Sequence, residues 1–189
     1  AGVPQDLLPV VSGRASEISH EFATNPTVRK ISFTGSTEVG AKIFADSAAD
    51  IKKLSLELGG NAPFIVFDDA DLDKAVEGAL ASKFRNSGQT CVCTNRVYAQ
   101  SGIYDEFCRK LSEKVAALKL GNGLDEGVNQ GPLIEEKAVE KVEQHIADAL
   151  AKGASCLTGG KRSALGGTFF EPTVLSGVTA QMAVAREET

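Results

Sequence analysis

Residues 84–95 have the sequence F-R-N-S-G-Q-T-C-V-C-T-N, with Cys91 near the centre of the stretch. A helical pattern precedes this stretch and a short apolar run, residues 97–99, follows it. The order predicts that Cys91 lies on a turn between a helix and a strand. Gly88 allows the backbone to bend sharply just before the sulfur. Reactive side chains are commonly carried on loops that rigid elements hold in place.

Cys91 is a candidate nucleophile on chemical grounds. A cysteine reacts as the thiolate, so it needs a base, a positive field or aligned backbone N–H groups nearby. Arg85 supplies a positive charge six residues earlier in the chain. The alternative is an ordinary buried cysteine, because free cysteine is among the most buried residue types.

The composition is that of a soluble globular protein, with 42% hydrophobic and 24% charged residues in a chain of 189. This length predicts one large or two small domains. The net charge of −5 gives no electrostatic support for a nucleic-acid or anionic-membrane partner, and we predict neither. No apolar run approaches the roughly 20 residues of a membrane span. No signal peptide is recognisable at Ala1, although Ala1 need not be the natural start.

Cysteine and histidine placement argues against a metal site, and we predict none. The six candidate ligands share no metal-binding spacing: Cys91, Cys93, Cys108, Cys156, His20 and His145. Cys108 and Cys156 lie in apolar patterns and are predicted to be inert core residues. This usage favours a reducing compartment. We predict the cytoplasm, with the mitochondrial matrix as the alternative.

A strand, a glycine turn and a helix follow one another between residues 29 and 47. Residues 29–33 alternate as a strand does, T-G-S-T-E-V-G follows at residues 34–40, and a helix is predicted from Thr37. Its inward-facing residues are predicted to be Val39, Ile43 and Phe44. A helix N-terminus after a glycine turn is a ready anion site, so the pattern favours phosphate binding. A plain strand-to-helix turn fits this motif equally well.

Glu57 interrupts an apolar neighbourhood near the end of a second predicted strand, residues 53–58, just before Gly59 and Gly60. A carboxylate in such a place would lose part of its hydration and become a better general base. The alternative is an exposed glutamate at a strand end. The glycine pair is also the predicted domain boundary, so Glu57 and Cys91 would face each other across a cleft.

The remaining pattern alternates strands and helices. Val10 and Val11 look like the end of a buried strand, and residues 64–67 look like a buried parallel strand. The aspartates of residues 68–73 are predicted to cap a helix over 72–84. Further elements are predicted as a strand at 95–100, helices over 104–118 and 138–150, and strands at 154–157 and 169–175. The class is α/β with largely parallel sheets.

Three stretches together resemble the aldehyde dehydrogenase superfamily. L-E-L-G-G-N-A-P at residues 56–63 is similar to the family's glutamate motif, and residues 84–95 are similar to its cysteine motif. F-T-G-S-T-E-V-G at residues 33–40 is similar to its cofactor loop. Residues 83–93 and N-Q-G-P-L-I at residues 129–134 most resemble the family's succinate-semialdehyde dehydrogenase branch.

The resemblance implies an aldehyde dehydrogenase-like α/β fold, with parts of a Rossmann-type cofactor domain and of an α/β catalytic domain. Residues 1–59 would be the C-terminal part of the cofactor-binding domain, and residues 60–189 the thiol-bearing catalytic domain, truncated at its C-terminus. The chain would then lack the family's upstream oxyanion asparagine and its oligomerisation strand. A homo-oligomer, dimer or tetramer, is implied for the full-length form.

The resemblance also implies roles for individual residues. Cys91 would attack an aldehyde, forming a thiohemiacetal and then a thioester, and Glu57 would be the general base that hydrolyses the thioester. NAD or NADP would be the cofactor, bound by Gly35, Ser36, Leu58 and Glu188. Arg85 would grip a substrate carboxylate, and its alternative role is a structural ion pair with a nearby aspartate.

Oxidation of succinate semialdehyde to succinate is therefore the predicted function. Two alternatives stay open: a broad-specificity or betaine-aldehyde dehydrogenase with the same Cys91 and Glu57, and a catalytically incompetent fragment. Cys93 is a possible redox partner that would form a reversible disulfide with Cys91. Its alternative role is that of a small packing residue.

Overall fold

The computed structural model describes residues 2–4 and 7–189, which form two compact units, residues 1–59 and 60–189. The division falls at the glycine pair Gly59–Gly60. Both units combine helices with strands, which confirms the predicted α/β class. None of the helices in the described part of the chain is both long and apolar enough to cross a membrane.

In its described residues, the first unit consists of a two-stranded parallel sheet with two α-helices. The elements are α1 (Ala15–Thr24), β1 (Lys30–Gly35), α2 (Thr37–Ser47) and β2 (Lys53–Leu58), with a short 3₁₀ turn at Ala48–Asp50. β1 and β2 pair in register from Lys30 opposite Lys53 to Gly35 opposite Leu58. The small core combines one residue of α1, one of β1 and one of α2: Ala23, Ile31 and Ile43.

The second unit contains two further two-stranded sheets. In order, its elements are β3 (Ala62–Val66), α3 (Leu72–Lys83), β4 (Thr94–Ala99), α4 (Tyr104–Ala116), α5 (Glu136–Ala151), β5 (Ser155–Thr158), β6 (Val174–Ser176) and α6 (Ala183–Arg186). β3 and β4 are parallel, whereas β5 and β6 are antiparallel. Its main core joins β3, α3 and α4 through Val66, Val76, Ala79, Phe107, Leu111 and Val115.

Local chemistry explains where the helices begin. Asp71 caps α3, because its side chain accepts a hydrogen bond from the backbone N–H of Lys74 at 3.2 Å. This confirms that an aspartate of residues 68–73 caps the helix, and the one that does so is Asp71. Ser36 caps α2 in the same way through the N–H of Val39 at 3.3 Å. Both caps fix the turn that leads from a strand into the following helix.

Several predictions of burial are wrong. Val10 and Val11 are 91% and 63% exposed, and no strand within residues 2–4 and 7–189 pairs with them. Of the three α2 residues predicted to face inward, only Ile43 is buried, and residues 64–67, predicted to be a buried strand, are only partly covered. The exposed members are Val39 and Phe44 in α2, Ile65 in β3, and Phe67 directly after it. Cys156 is also exposed, so it is not the core residue that the sequence predicts.

Candidate active site

Cys91 lies on a turn that follows α3 and a short 3₁₀ segment, Arg85–Gly88, and precedes β4. This confirms its predicted place between a helix and a strand. The thiol-bearing residue is exposed and free, which excludes the ordinary buried cysteine. The turn closes just beyond it, where the N–H of Cys93 donates to the carbonyl of Thr90 at 2.8 Å. The sequence therefore folds so that Cys91 is accessible on an ordered turn.

The backbone before Cys91 is strained. Asn86 and Ser87 both have left-handed dihedrals, with φ of 50° and 55°, and Gly88 follows with φ of 80°. Each non-glycine residue in this region costs on the order of 1–3 kcal/mol, so the surroundings must hold it there. A Cβ at Gly88 would also lie 3.0 Å from the ammonium of Lys83. Glycine is therefore needed at position 88, as the sequence predicts.

Residues 129–134 hold the strained turn in place. The amide of Gln130 donates to the carbonyl of Phe84 at 2.9 Å, and the hydroxyl of Ser87 donates to the carbonyl of Gly131 at 3.0 Å. The N–H of Ile134 donates to Oε1 of Gln89 at 2.8 Å. The two stretches that carry the narrow family resemblance thus contact each other. The sequence motif alone gave no sign of this contact.

Arg85 begins this turn with an exposed side chain. Among the described residues it forms no salt bridge, so the alternative of a structural ion pair is not what the structure has. Its backbone carbonyl accepts a hydrogen bond from the thiol of Cys93 at 3.7 Å. The guanidinium is consequently available to an anionic ligand.

Cys93 is only 1% exposed, in contrast to Cys91 two residues earlier. Its thiol is directed to the carbonyl of Arg85, so in this structure it packs beneath the turn. Both thiols are free. A disulfide between Cys91 and Cys93 would require Cys93 to leave this position, and the redox exchange stays a prediction. Cys108 on α4 is half-buried, and burial raises the pKa of its thiol, which suits an inert residue.

Lys83 is a residue that the sequence analysis missed. Burial lowers the pKa of its ammonium, while the charges of Cys93 and Glu188 act in the opposite direction. The ammonium donates to Oδ1 of Asn95 at 2.6 Å, and the amide of Asn95 donates to the carbonyl of Gly60 at 3.4 Å. A lysine in the last turn of a helix is usually explained by its favourable interaction with the helix dipole. The sequence position of Lys83 therefore does not indicate that its ammonium is buried and bonded to Asn95.

In the first unit, four predicted site residues meet at one edge of the sheet. Glu57 and Leu58 end β2, and Gly35 ends β1 directly opposite Leu58, with Ser36 next in the chain. The carboxyl ends of parallel strands are where α/β folds bind ligands. Glu57 is exposed, so the partial desolvation predicted for it is not found, and it matches the alternative of a strand-end glutamate. Its meeting with Cys91 stays a prediction.

Gly35 and Ser36 form the corner between β1 and α2. A Cβ at Gly35 would collide with the ring of Phe33, and Ser36 caps the following helix. Leu58 packs closely on α2, because a Cβ at Gly40 would lie 2.6 Å from its Cδ2. A glycine turn at a helix N-terminus fits the phosphates of a dinucleotide. The corner therefore suits the predicted cofactor, although the helix also has an acidic residue, Glu38, in its first turn.

Glu188 lies in the second unit, two residues after the end of α6, and is exposed. The residues on either side of it, Glu187 and Thr189, both bond to the buried imidazole of His145 on α5. His145 also lines a cavity of about 960 Å³, to which Lys83, Asn95 and Thr189 contribute. Position 145 falls on the apolar face of the predicted helix. A histidine among apolar residues is the sequence signal that could have identified His145 as a buried polar residue.

The whole chain, residues 1–189, matches the aldehyde dehydrogenase family. A succinate-semialdehyde dehydrogenase [NADP(+)] of Escherichia coli K12 is 63% identical over 189 residues, which are all of this chain and 39% of that protein. A glutarate-semialdehyde dehydrogenase of Pseudomonas aeruginosa is 62% identical over the same shares of both chains. The crystal structure of a succinate-semialdehyde dehydrogenase from Burkholderia pseudomallei matches 99% of this chain and 39% of its own, with a TM-score of 0.97 and 64% identity.

The chain therefore belongs to the aldehyde dehydrogenase family, as its sequence motifs predicted. It spans 39% of the length of each of these three relatives. Its resemblance to succinate-semialdehyde dehydrogenases is likewise confirmed over its whole length.

Proposed function

We propose that the full-length protein oxidises an aldehyde with a distal carboxylate, in the first place succinate semialdehyde to succinate, with NAD or NADP. The observation that carries this proposal is the pairing of an exposed Cys91 with an exposed Arg85, both on one ordered turn. Within residues 2–4 and 7–189, Arg85 forms no salt bridge. A neutral aldehyde has no use for a cation there. The two enzymes named above from Escherichia coli and Pseudomonas aeruginosa support a dicarboxylate semialdehyde, of four or five carbons.

Cys91 performs the first step in this proposal. Its thiolate adds to the carbonyl carbon and forms a thiohemiacetal, whose oxyanion the backbone N–H of Cys91 stabilises. A bound nicotinamide dinucleotide supplies the hydride acceptor. Cys91 then carries the acyl group as a thioester, which leaves the carbonyl carbon open to attack by water.

Glu57 takes the second step. Its carboxylate removes a proton from the water that attacks the thioester, and the acid and the free thiol of Cys91 are released. Residues 1–59 would thus contribute the base and part of the cofactor site, and residues 60–189 the nucleophile. Gly35, Ser36 and Leu58 would hold the cofactor from the first unit, and Glu188 would bind a ribose hydroxyl from the second. A homo-oligomer and a cytoplasmic location remain parts of the proposal.

Arg85→Ala in the full-length protein tests the substrate assignment. The substitution should raise KM for succinate semialdehyde by about 10- to 100-fold, the effect of losing a charge-assisted hydrogen bond. KM for butyraldehyde, which has the same carbon count and no carboxylate, should not change. Arg109→Ala is the matched control, because Arg109 is an exposed arginine of α4 that pairs with Glu113.

Two results would change the assignment. Equal effects of Arg85→Ala on both aldehydes would show that Arg85 does not bind the carboxylate. Comparable wild-type rates with both would indicate a broad-specificity aldehyde dehydrogenase. Glutarate semialdehyde, one methylene longer, serves as a third substrate that measures how strictly the distance between Arg85 and Cys91 selects chain length.

A further inference from the structure

His145 is a buried polar residue on the inner face of α5. Its side chain is 5% exposed, and Val142 and Ala149, three residues before and four after it, lie on the same face of the helix. Burying an imidazole without partners would cost several kcal/mol in lost hydration, so its hydrogen bonds matter. Both ring nitrogens have a partner, and both partners lie about 40 residues further along the chain.

The two partners indicate which ring nitrogen donates in the neutral imidazole. Nε2 lies 3.3 Å from Oε2 of Glu187, and an ionised carboxylate can only accept, so Nε2 donates. In the neutral ring Nδ1 is then the acceptor, and the hydroxyl of Thr189 donates to it at 2.8 Å. One imidazole therefore bonds the residues on either side of Glu188.

This arrangement fixes the direction of Glu188. The backbone at Glu187 is extended, with φ of −109° and ψ of 145°. Side chains in an extended segment alternate between two sides, so Glu187 and Thr189 share one side and Glu188 projects to the other. Lys83 lies against the turn that carries Cys91, because a Cβ at Gly88 would lie 3.0 Å from its ammonium. The charge of Glu188 acts to raise the pKa of that ammonium, against the larger effect of burial.

The start of the segment is fixed by the same helix. Asp148, three residues after His145, accepts a hydrogen bond from the N–H of Ala183 at 2.7 Å. Residues 183–189 are thus attached to α5 at both ends. Among the described residues, His145 makes the attachment that lies next to Glu188.

We propose that His145 is a positioning residue for the cofactor, because it bonds Glu187 and Thr189 and so turns Glu188 toward the ribose. The inference rests on the proposed function, in which Glu188 binds that ribose. His145 itself does not contact the cofactor or the substrate. Its removal should weaken cofactor binding while leaving the aldehyde site intact.

The test uses two shape-preserving substitutions in the full-length protein, His145→Phe and Thr189→Val. Calorimetric titration should show a Kd for the preferred dinucleotide raised about tenfold by His145→Phe and about fivefold by Thr189→Val, as expected for one or two lost hydrogen bonds. KM for the aldehyde should stay within about twofold of wild type. Amide hydrogen exchange of residues 183–189, measured without cofactor, should become faster in both variants.

Two further variants separate positioning from stability. His145→Gln keeps a donor for Glu187 and should recover part of the affinity that His145→Phe loses. His20→Phe is the matched control, because the side chain of His20 is 69% exposed, and it should behave as wild type. If the role of His145 were merely structural, its substitution would lower Tm without raising Kd for the cofactor. The ratio of KM for the cofactor to KM for the aldehyde would also stay unchanged.

The outcomes distinguish the inference from the function on which it rests. If wild-type protein binds the dinucleotide and His145→Phe and Thr189→Val bind it equally well, the inference is wrong and the function stands. If wild-type protein binds neither NAD nor NADP, the proposed function is overturned, and the cofactor role of His145 with it. Unchanged hydrogen exchange in both variants would show that His145 does not hold the segment.

Discussion

The side-chain amide of Gln130 donates a hydrogen bond to the main-chain carbonyl of Phe84 at 2.9 Å, across 46 positions of sequence. Phe84 is the residue at which α3 ends and the strained turn begins. Gln130 is itself only 5% exposed. This contact places a buried polar side chain beside the segment that positions Cys91. We therefore expect its removal to lower the rate of the reaction at Cys91.

Gln130→Leu should destabilise the protein by about 1–3 kcal/mol, because the partly buried carbonyl of Phe84 loses its donor. With the turn loosened, kcat/KM should fall by about tenfold or more. The factor should be at least as large for succinate semialdehyde as for butyraldehyde, since the loosened turn begins at Arg85 and also carries Cys91. Gln181→Leu is the control, because Gln181 is exposed and accepts hydrogen bonds through its main-chain oxygen. A stability loss without any rate loss would contradict the prediction.

Asp148→Asn should change the pH dependence of stability. Hydrogen bonds from Lys152 and from the N–H of Ala183 hold the pKa of Asp148 below its usual value of 3.8. A lowered native pKa stabilises the fold above the unfolded value, and this stabilisation is lost as pH falls through the native value. The Tm difference between wild type and variant should therefore be largest near neutral pH and shrink below about pH 4.

Thermal unfolding between about pH 7 and pH 3 measures this difference. Asp69→Asn serves as the control, because Asp69 is exposed in the turn before α3. A Tm difference that stays constant with pH would show that the charge of Asp148 contributes nothing.

Glu57→Gln should separate the two proposed chemical steps. If Glu57 is the base for hydrolysis, the variant should release about one equivalent of reduced cofactor in a burst and then turn over about 100-fold more slowly. Stopped-flow absorbance of the reduced cofactor measures both phases. Glu140→Gln, on the exposed side of α5, should show no burst beyond that of wild type. Loss of the burst itself would assign Glu57 to the first step instead.

Peroxide treatment tests the proposed exchange between Cys91 and Cys93. Because Cys91 is exposed and Cys93 is 1% exposed, Cys91 should be oxidised first and Cys93 should react only after the turn opens. Peptide mass spectrometry should then find a Cys91–Cys93 linked peptide that thiol treatment removes. Cys91 oxidised to the sulfinic acid beside an unmodified Cys93 would show that Cys93 only packs.

The elements near the site were predictable because their signals are local. β2 has the bounds of the predicted strand, Lys53–Leu58, since alternation over six residues marks a half-buried strand. The turn at Cys91 follows from a helical pattern, a glycine and an apolar run in sequence order. The predicted roles of Cys91 and Glu57 came from the family motifs, because the periodicity of apolar residues carries no information about catalysis.

Contacts over long sequence distances could not be predicted in this way. His145 and Thr189 are 44 residues apart, as are Ser87 and Gly131, and neither pair has a pattern in the sequence. The predictions of burial failed for a related reason. Periodicity indicates which side chains share a face of α2, but whether another element covers Val39 and Phe44 depends on the rest of the fold.

The left-handed backbone at Asn86 and Ser87 has a consequence for sequence variation. Asparagine and glycine tolerate this conformation, whereas valine, isoleucine and threonine resist it because of branching at Cβ. In a library that randomises both codons, surviving clones should be enriched in glycine, asparagine and aspartate at these two positions. Position 92 has an exposed side chain and no such constraint, so it should drift freely. The dihedral angles of the turn thus limit which residues positions 86 and 87 accept, independently of the reaction at Cys91.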